Sequence, residues 1–164
     1  MKRIFVHKER CTGCKSCEIG CAVRHSESKT LHGAMCQANP PRPRIFAQWA
    51  DGLKTVVRCN HCDDAPCISS CISGCLYKNE QGYVLRKKER CIGCWSCVMA
   101  CPFGVVFRDP MLNIAVKCDG CRKSDLPACV ESCPTKALEL VDIEEIAASK
   151  RHHAATRDHH HQGG

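Results

Sequence analysis

Apolar positions in this chain come in short runs separated by polar turn sequences, a pattern that predicts many short strands and no long helix. Lys2 to Val6 reads as one strand. Arg44 to Trp49 and Leu53 to Arg58 read as a hairpin, because Asp51-Gly52 between them is a strong turn signal. Leu76 to Lys78 and Tyr83 to Leu85 flank Asn79-Glu80-Gln81-Gly82 as a second hairpin, and Val105 to Phe107 and Asn113 to Val116 form a third. Leu138 to Val141 is a last strand, after which Asp142 caps a helix running to about Lys150. Cys17 to Cys21, continuing towards Arg24 and His25, and Cys97 to Cys101 read as short helical turns. Residues 26–43 have no strong period, and Asn39-Pro40-Pro41-Arg42-Pro43 imposes extended backbone, so this segment is expected to be a surface excursion. Arg151 to Gly164, with His159-His160-His161, is expected to be a disordered tail. Short hairpins interleaved with short helices make the class α+β.

Composition sharpens the picture. Hydrophobic residues make up 44% of the 164, but 18 of those are cysteines, and setting them aside leaves about a third of the chain apolar, less than an ordinary globular core uses. Such a chain needs staples. Disulfides require an oxidising compartment, yet Met1 to Val6 offers neither an apolar leader core nor a cleavage site, which points to a cytoplasmic, reducing setting. Zinc ribbons separate two C-x2-C knuckles by a dozen or more residues, whereas here further cysteines follow at once.

The run from Cys91 to Pro102 is C-x2-C-x2-C-x3-C-P, the spacing that holds a cubane 4Fe-4S cluster. Three closely spaced thiolates, Cys91, Cys94 and Cys97, wrap one side of such a core. Gly93 can take positive φ and turn backbone N–H groups inward. Cys101, about 6 Å along a helical turn from Cys97, can reach a neighbouring cluster, so one run predicts two clusters. Lys8-Glu9-Arg10-Cys11-x-Gly13-Cys14-x-Ser16-Cys17, with Cys21 following, repeats Lys88 to Cys97 at every fixed position. A second motif comprises Cys59, Cys62, Cys67 and Cys71, and a fourth comprises Cys118, Cys121, Cys129 and Cys133; each is entered through Val56-Val57-Arg58 or Ala115-Val116-Lys117. The sixteen cysteines account for four 4Fe-4S clusters. Cys36 stands outside the motifs as a free thiol, Cys75 aligns with an alanine in the related segment and reads as a packing residue, His61 reads as a loop position, and Trp95 reads as a shield over a cluster.

A formal charge of +7 would ordinarily suggest nucleic acid or an anionic membrane surface. Four clusters with their thiolates carry about −8 together and nearly cancel it, so no nucleic-acid partner is expected. No apolar stretch approaches the ~18 residues of a membrane span. With sixteen cysteines committed, no activated nucleophile, phosphate-binding loop or separate metal cage remains, so the chain is expected to conduct electrons rather than catalyse bond-making.

Over residues 1–141 the four motifs resemble the four-cluster polyferredoxin subunits of pyranopterin oxidoreductases such as dimethyl sulfoxide reductase, and of formate hydrogenlyase and carbon monoxide dehydrogenase systems. The resemblance implies two ferredoxin-like dicluster lobes: residues 1–57 plus 110–150 around motifs one and four, and residues 58–109 around motifs two and three, with 151–164 as tail. It implies the ligand sets Cys11, Cys14, Cys17 and Cys133; Cys118, Cys121, Cys129 and Cys21; Cys59, Cys62, Cys67 and Cys101; and Cys91, Cys94, Cys97 and Cys71. Sequence similarity by itself pairs motif one with three and two with four, which leaves a tandem pair of ordinary ferredoxins open. Ala22 to Lys29, Leu31, Gly33, Ala34 and Pro41 to Arg44 look most like the electron-transfer subunit of carbon monoxide dehydrogenases. That likeness implies an anaerobic relay from carbon monoxide dehydrogenase to a hydrogenase or a flavin-dependent NAD(P) reductase. The alternatives are a subunit of a formate dehydrogenase, hydrogenlyase or pyranopterin enzyme, or a freely diffusing polyferredoxin. The excursion over 26–44 favours a docked subunit, since a ferredoxin that only stores electrons has no need of it.

Overall fold

The computed structural model describes residues 1–158. Its strands form four separate two-stranded antiparallel sheets, and its helices are short except the last. Strand β1 (Lys2–Val6) leads through a 3-10 turn at Lys8–Arg10 and a loop into α1 (Ser16–Arg24). The excursion that follows holds α2 (Leu31–Met35), which was not expected from its sequence. Thr30 caps α2 by accepting from the Gly33 N–H at 3.2 Å, and buried Ser26 anchors the segment by donating to the Val23 carbonyl at 2.7 Å.

Strands β2 (Ile45–Ala50) and β3 (Leu53–Arg58) close over Asp51 and Gly52, with φ of 50° and 77°, the left-handed pair that suits strand twist. Then come α3 (Pro66–Ser69), β4 (Leu76–Lys78), β5 (Val84–Arg86), a second 3-10 turn at Lys88–Arg90, and α4 (Ser96–Ala100). Strands β6 (Phe107–Asp109) and β7 (Ile114–Val116) form the fourth motif's entry, followed by α5 (Ala128–Glu131), β8 (Leu138–Asp142) and α6 (Ile143–Asp158).

Four strands start later than expected: β2 and β7 by one residue, at Ile45 and Ile114, and β5 and β6 at Val84 and Phe107. Strand β5 begins at Val84 because the Tyr83 N–H is held by the Asn79 side chain at 2.7 Å and so belongs to the turn. Strand β6 begins at Phe107, where the ladder with β7 starts opposite Val116; Val105 and Val106 are buried ahead of it. Helix α6 runs to Asp158, eight residues beyond Lys150. Asp142 accepts from the Glu144 N–H at 3.0 Å, Glu144 and Glu145 sit in its first turn, and alanines sustain it. His159-His160-His161 lies outside the described residues.

The closing pair is β1 with β8, in register from Lys2 with Asp142 to Val6 with Leu138, which joins the two ends of the chain's sequence. Its apolar face meets α1 and α5 in a core of Ile4, Cys17, Cys21, Ile45, Val56, Cys129 and Leu138. A second core gathers Ala65, Cys67, Leu76, Val84, Cys97, Val106 and Ala115. The expected boundary between residues 109 and 110 falls inside the β6–β7 hairpin, whose Ala115 packs in the second core.

Helices α1 and α5 approach closely at Gly20, where a Cβ would lie 2.0 Å from Ser132 Oγ, 2.7 Å from Ser132 Cβ and 3.2 Å from the Ala128 carbonyl. Gly20→Ala is expected to destabilise the holoprotein by ~1–3 kcal/mol, and adding Ser132→Gly should restore much of that. Thermal loss of the visible cluster absorbance measures both.

Candidate metal centres

The repeated motifs fold alike down to single dihedrals. In both copies a 3-10 turn of Lys-Glu-Arg delivers the first cysteine in extended backbone, φ −77° and ψ 119° at Cys11 against −76° and 119° at Cys91. Gly13 and Gly93 have φ of 72° and 69°, and Lys15 and Trp95 take the left-handed conformation at 62° and 64° before the helix begins. Each loop therefore curls around its own thiols, while Cys21 and Cys101, on or just past the helix, point elsewhere.

The structure brings cysteines together across motifs. Cys11, Cys14, Cys17 and Cys133 line one small cavity. Cys21 lies beside Cys118 and Cys121, and Cys129 beside Cys118, Cys21 and Cys121. Cys67 neighbours Cys59 and Cys101, with Cys62 packed against the same core. Cys97 neighbours Cys71 and Cys91, and Cys94 also neighbours Cys71.

Burial, with like-charged neighbours adding to it, pushes the thiols of Cys17, Cys97 and Cys118 up to about 11 and Cys21 up to about 12; Cys129 moves in the same direction. The exposed thiols at the loop tips move the other way. Hydrogen bonding to Ser16 lowers Cys14, and Ser96 does the same for Cys94. Iron must therefore displace protons from the buried members.

Backbone N–H groups already aim at several sulfurs, as a cluster's thiolates require: Arg44 to Cys21 Sγ at 3.3 Å, Ala115 to Cys91 Sγ at 3.4 Å and Gly120 to Cys118 Sγ at 3.4 Å. Arg44 also binds Asp119 at 2.9 Å, and His25 donates from Nδ1 to the Cys21 carbonyl at 2.7 Å with its Nε2 3.4 Å from the same carboxylate. Burial opposes ionisation of Asp119, but the His25 contact and the Arg44 charge outweigh it and hold the carboxyl below the usual range.

The spacing of the sulfurs distinguishes the metals. A tetrahedral zinc thiolate puts its sulfurs about 3.8 Å apart. Among the described residues only His25, Asp119 and Cys121 present three ligand atoms all within 4.8 Å of one another, so no set of cysteines is drawn in tightly enough for one zinc. Four-thiol sets with backbone N–H groups aimed at their sulfurs fit the 4Fe-4S core. All 18 cysteines are free thiols rather than disulfides.

The residues outside the sets have other work. Cys75 is 2% exposed and donates to the Lys87 carbonyl at 3.1 Å. Cys36 is exposed, 3.9 Å from His32. His61 is buried, and its Nδ1 accepts from the Val84 N–H at 3.1 Å. Trp95 carries Arg108 over its ring at 5.4 Å. Trp49 was not singled out by sequence, yet it covers the first motif so closely that a Cβ on Gly13 would lie 2.3 Å from its indole nitrogen. Its position on a hairpin strand carries no local signal for this contact. Among the described residues no helix is long and apolar enough to cross a membrane.

A family model for the 4Fe-4S dicluster domain matches residues 52–143, and one for a 4Fe-4S binding domain matches residues 8–24. The chain is 37% identical to the electron transport protein HydN of Escherichia coli, over 93% of this chain and 96% of that one. It is also 37% identical to the thiosulfate reductase electron transfer subunit PhsB of Salmonella typhi, over 87% of this chain and 77% of that one. The active site complex BamBC of benzoyl coenzyme A reductase contains a chain of similar fold, with a TM-score of 0.50 and 22% identity over 86% of this chain and 76% of that one.

Proposed function

From the premise that the chain belongs to the 4Fe-4S dicluster family of electron-transfer proteins, we propose that it holds four clusters in two crossed pairs and relays electrons between a redox enzyme and a second acceptor. The observation that carries the crossed arrangement is the cavity shared by Cys133 with Cys11, Cys14 and Cys17, since Cys133 lies more than a hundred residues away in sequence. The other sets are Cys118, Cys121, Cys129 and Cys21; Cys59, Cys62, Cys67 and Cys101; and Cys91, Cys94, Cys97 and Cys71. When bound, each cluster supplies a reversible one-electron couple.

The chain's own residues order the path. Cys129 neighbours Cys17, Cys118 neighbours Cys59, and Cys97 neighbours Cys67, so the sets follow one another as first, fourth, second, third. The first and fourth make one lobe and the second and third the other, the latter including the β6–β7 hairpin. Trp49 lies against Gly13 of one outer loop and Trp95 against Gly93 of the other.

The partner proposed is carbon monoxide dehydrogenase, with a hydrogenase or flavin-dependent NAD(P) reductase as acceptor, on the resemblance of Ala22 to Ala34 and Pro41 to Arg44. These residues flank Cys21, and α2 presents Leu31 and Met35, 56% and 74% exposed and four apart on one helix face, for contact. Protein prepared without oxygen should hold about sixteen iron and sixteen sulfide. Reduction by CO should need only catalytic dehydrogenase, and Leu31→Ser with Met35→Ser should slow it severalfold with iron unchanged. The relationship to a thiosulfate reductase subunit motivates a second reading: exchange with a pyranopterin reductase, and none with the CO enzyme, would move the partner to that branch.

A further inference from the structure

A buried cation, Lys117, and a half-buried one, Arg58, stand where the chain crosses between the cores. Lys117 is 4% exposed, and its Nζ donates to the Val84 carbonyl at 2.6 Å and the Cys118 carbonyl at 2.8 Å. Arg58 donates from Nη1 to the Cys59 carbonyl at 2.8 Å and from Nη2 to the Ile4 carbonyl, while its buried Nε has no partner. Each immediately precedes the first cysteine of its motif, and each reaches back to a strand of the opposite core. Among the described residues neither has a carboxylate within 4.0 Å.

A charge withdrawn from water without a paired anion is strongly disfavoured, so a compensating anion is expected nearby. The candidates are thiolates. The charge of Arg58 acts on Cys118, Cys129 and Cys59 and that of Lys117 on Cys67 and Cys118, while their hydrogen bonds hold them on the Cys59 and Cys118 carbonyls, so each cation stands beside both central sets. Neighbouring His61 is buried with its Nδ1 accepting from the Val84 N–H at 3.1 Å, and it supplies no anion. Backbone carbonyls fix the cations' positions but cannot neutralise them.

We propose that Arg58 and Lys117 are fixed countercharges shared by the two central sites, raising their reduction midpoints so that electrons cross between the lobes. This rests on the four-cluster reading. Each reduction adds one electron from an external donor such as dithionite and no proton; the added charge meets a cation already in place, in a medium where solvent screens it weakly. The pair also offsets the repulsion that reducing one central site would impose on the next.

The test is a potentiometric titration of the fully loaded protein, followed by electron paramagnetic resonance, on the parent and on Lys117→Gln, Arg58→Gln and Lys117→Arg. Two couples should shift negative in each glutamine variant, lowering the reduced-to-oxidised ratio at the parent midpoint about tenfold, which is 59 mV for one electron. The other two couples and the Lys117→Arg protein should stay near the parent. Iron-replete glutamine variants with unmoved midpoints would overturn the proposal. If the glutamine variants lose iron, full loading of Lys117→Arg supports the charge account, and its equal loss overturns it. A parent without four one-electron couples would instead remove the four-cluster reading.

Discussion

Removing the iron, by chelation or oxidation, is expected to unfold the chain completely. Each of its four sheets has two strands, and an isolated two-stranded ribbon is marginal in water. Among the described residues, seven of the 22 buried apolar residues are cysteines, five are alanines and none is aromatic. Of the ten remaining aliphatic side chains, seven are divided between two small cores and Leu85, Val105 and Val116 lie in neither, too little to offset the entropy of ordering the backbone. Four thiols converging on each centre supply the missing cross-links, and metal binding then becomes folding free energy. Far-ultraviolet circular dichroism of the stripped protein should lose its native signature, with no cooperative transition in urea. An iron-free chain that still melts cooperatively would show that the apolar cores suffice.

The second large effect is a displaced lesion. Cys21→Ser should spare the site nearest in sequence, formed by Cys11, Cys14, Cys17 and Cys133, and disable the site of Cys118, Cys121 and Cys129. Iron should fall from about sixteen to about twelve per chain, or leave a three-iron remnant with its own resonance signal. Cys71→Ser should likewise act on the site of Cys91, Cys94 and Cys97. Burial of Cys21 against Cys118 and Cys121 is the physical ground. Damage confined to the first motif after Cys21→Ser would return the tandem arrangement of ordinary ferredoxins.

Local chemistry made much of this legible before any coordinates. Cysteine spacing, the left-handed glycine of each repeated loop and the Asp51-Gly52 turn are short-range features, and each takes the conformation its residues favour. Helix α2 was missed because a five-residue helix containing Gly33 has almost no periodic signal, and is held instead by Thr30 and Ser26. The extent of α6 was underestimated because its apolar positions form no face; its length rests on propensity and capping.

The sequence by itself determined the four motifs, the cluster type and the short-element α+β class, because thiol spacing and turn chemistry act over a few residues. Tertiary structure alone decided which motif meets which. The pairing of β1 with β8 brings Cys133 to Cys11, and no residue within either motif encodes that contact. Other long-range contacts set Trp49 over Gly13, tied Arg58 to the Ile4 carbonyl and buried Lys117 against the Val84 carbonyl. A basic residue before a cysteine carries no local sign of where its side chain goes; only long-range packing sets Arg58 on the Ile4 carbonyl and Lys117 on the Val84 carbonyl.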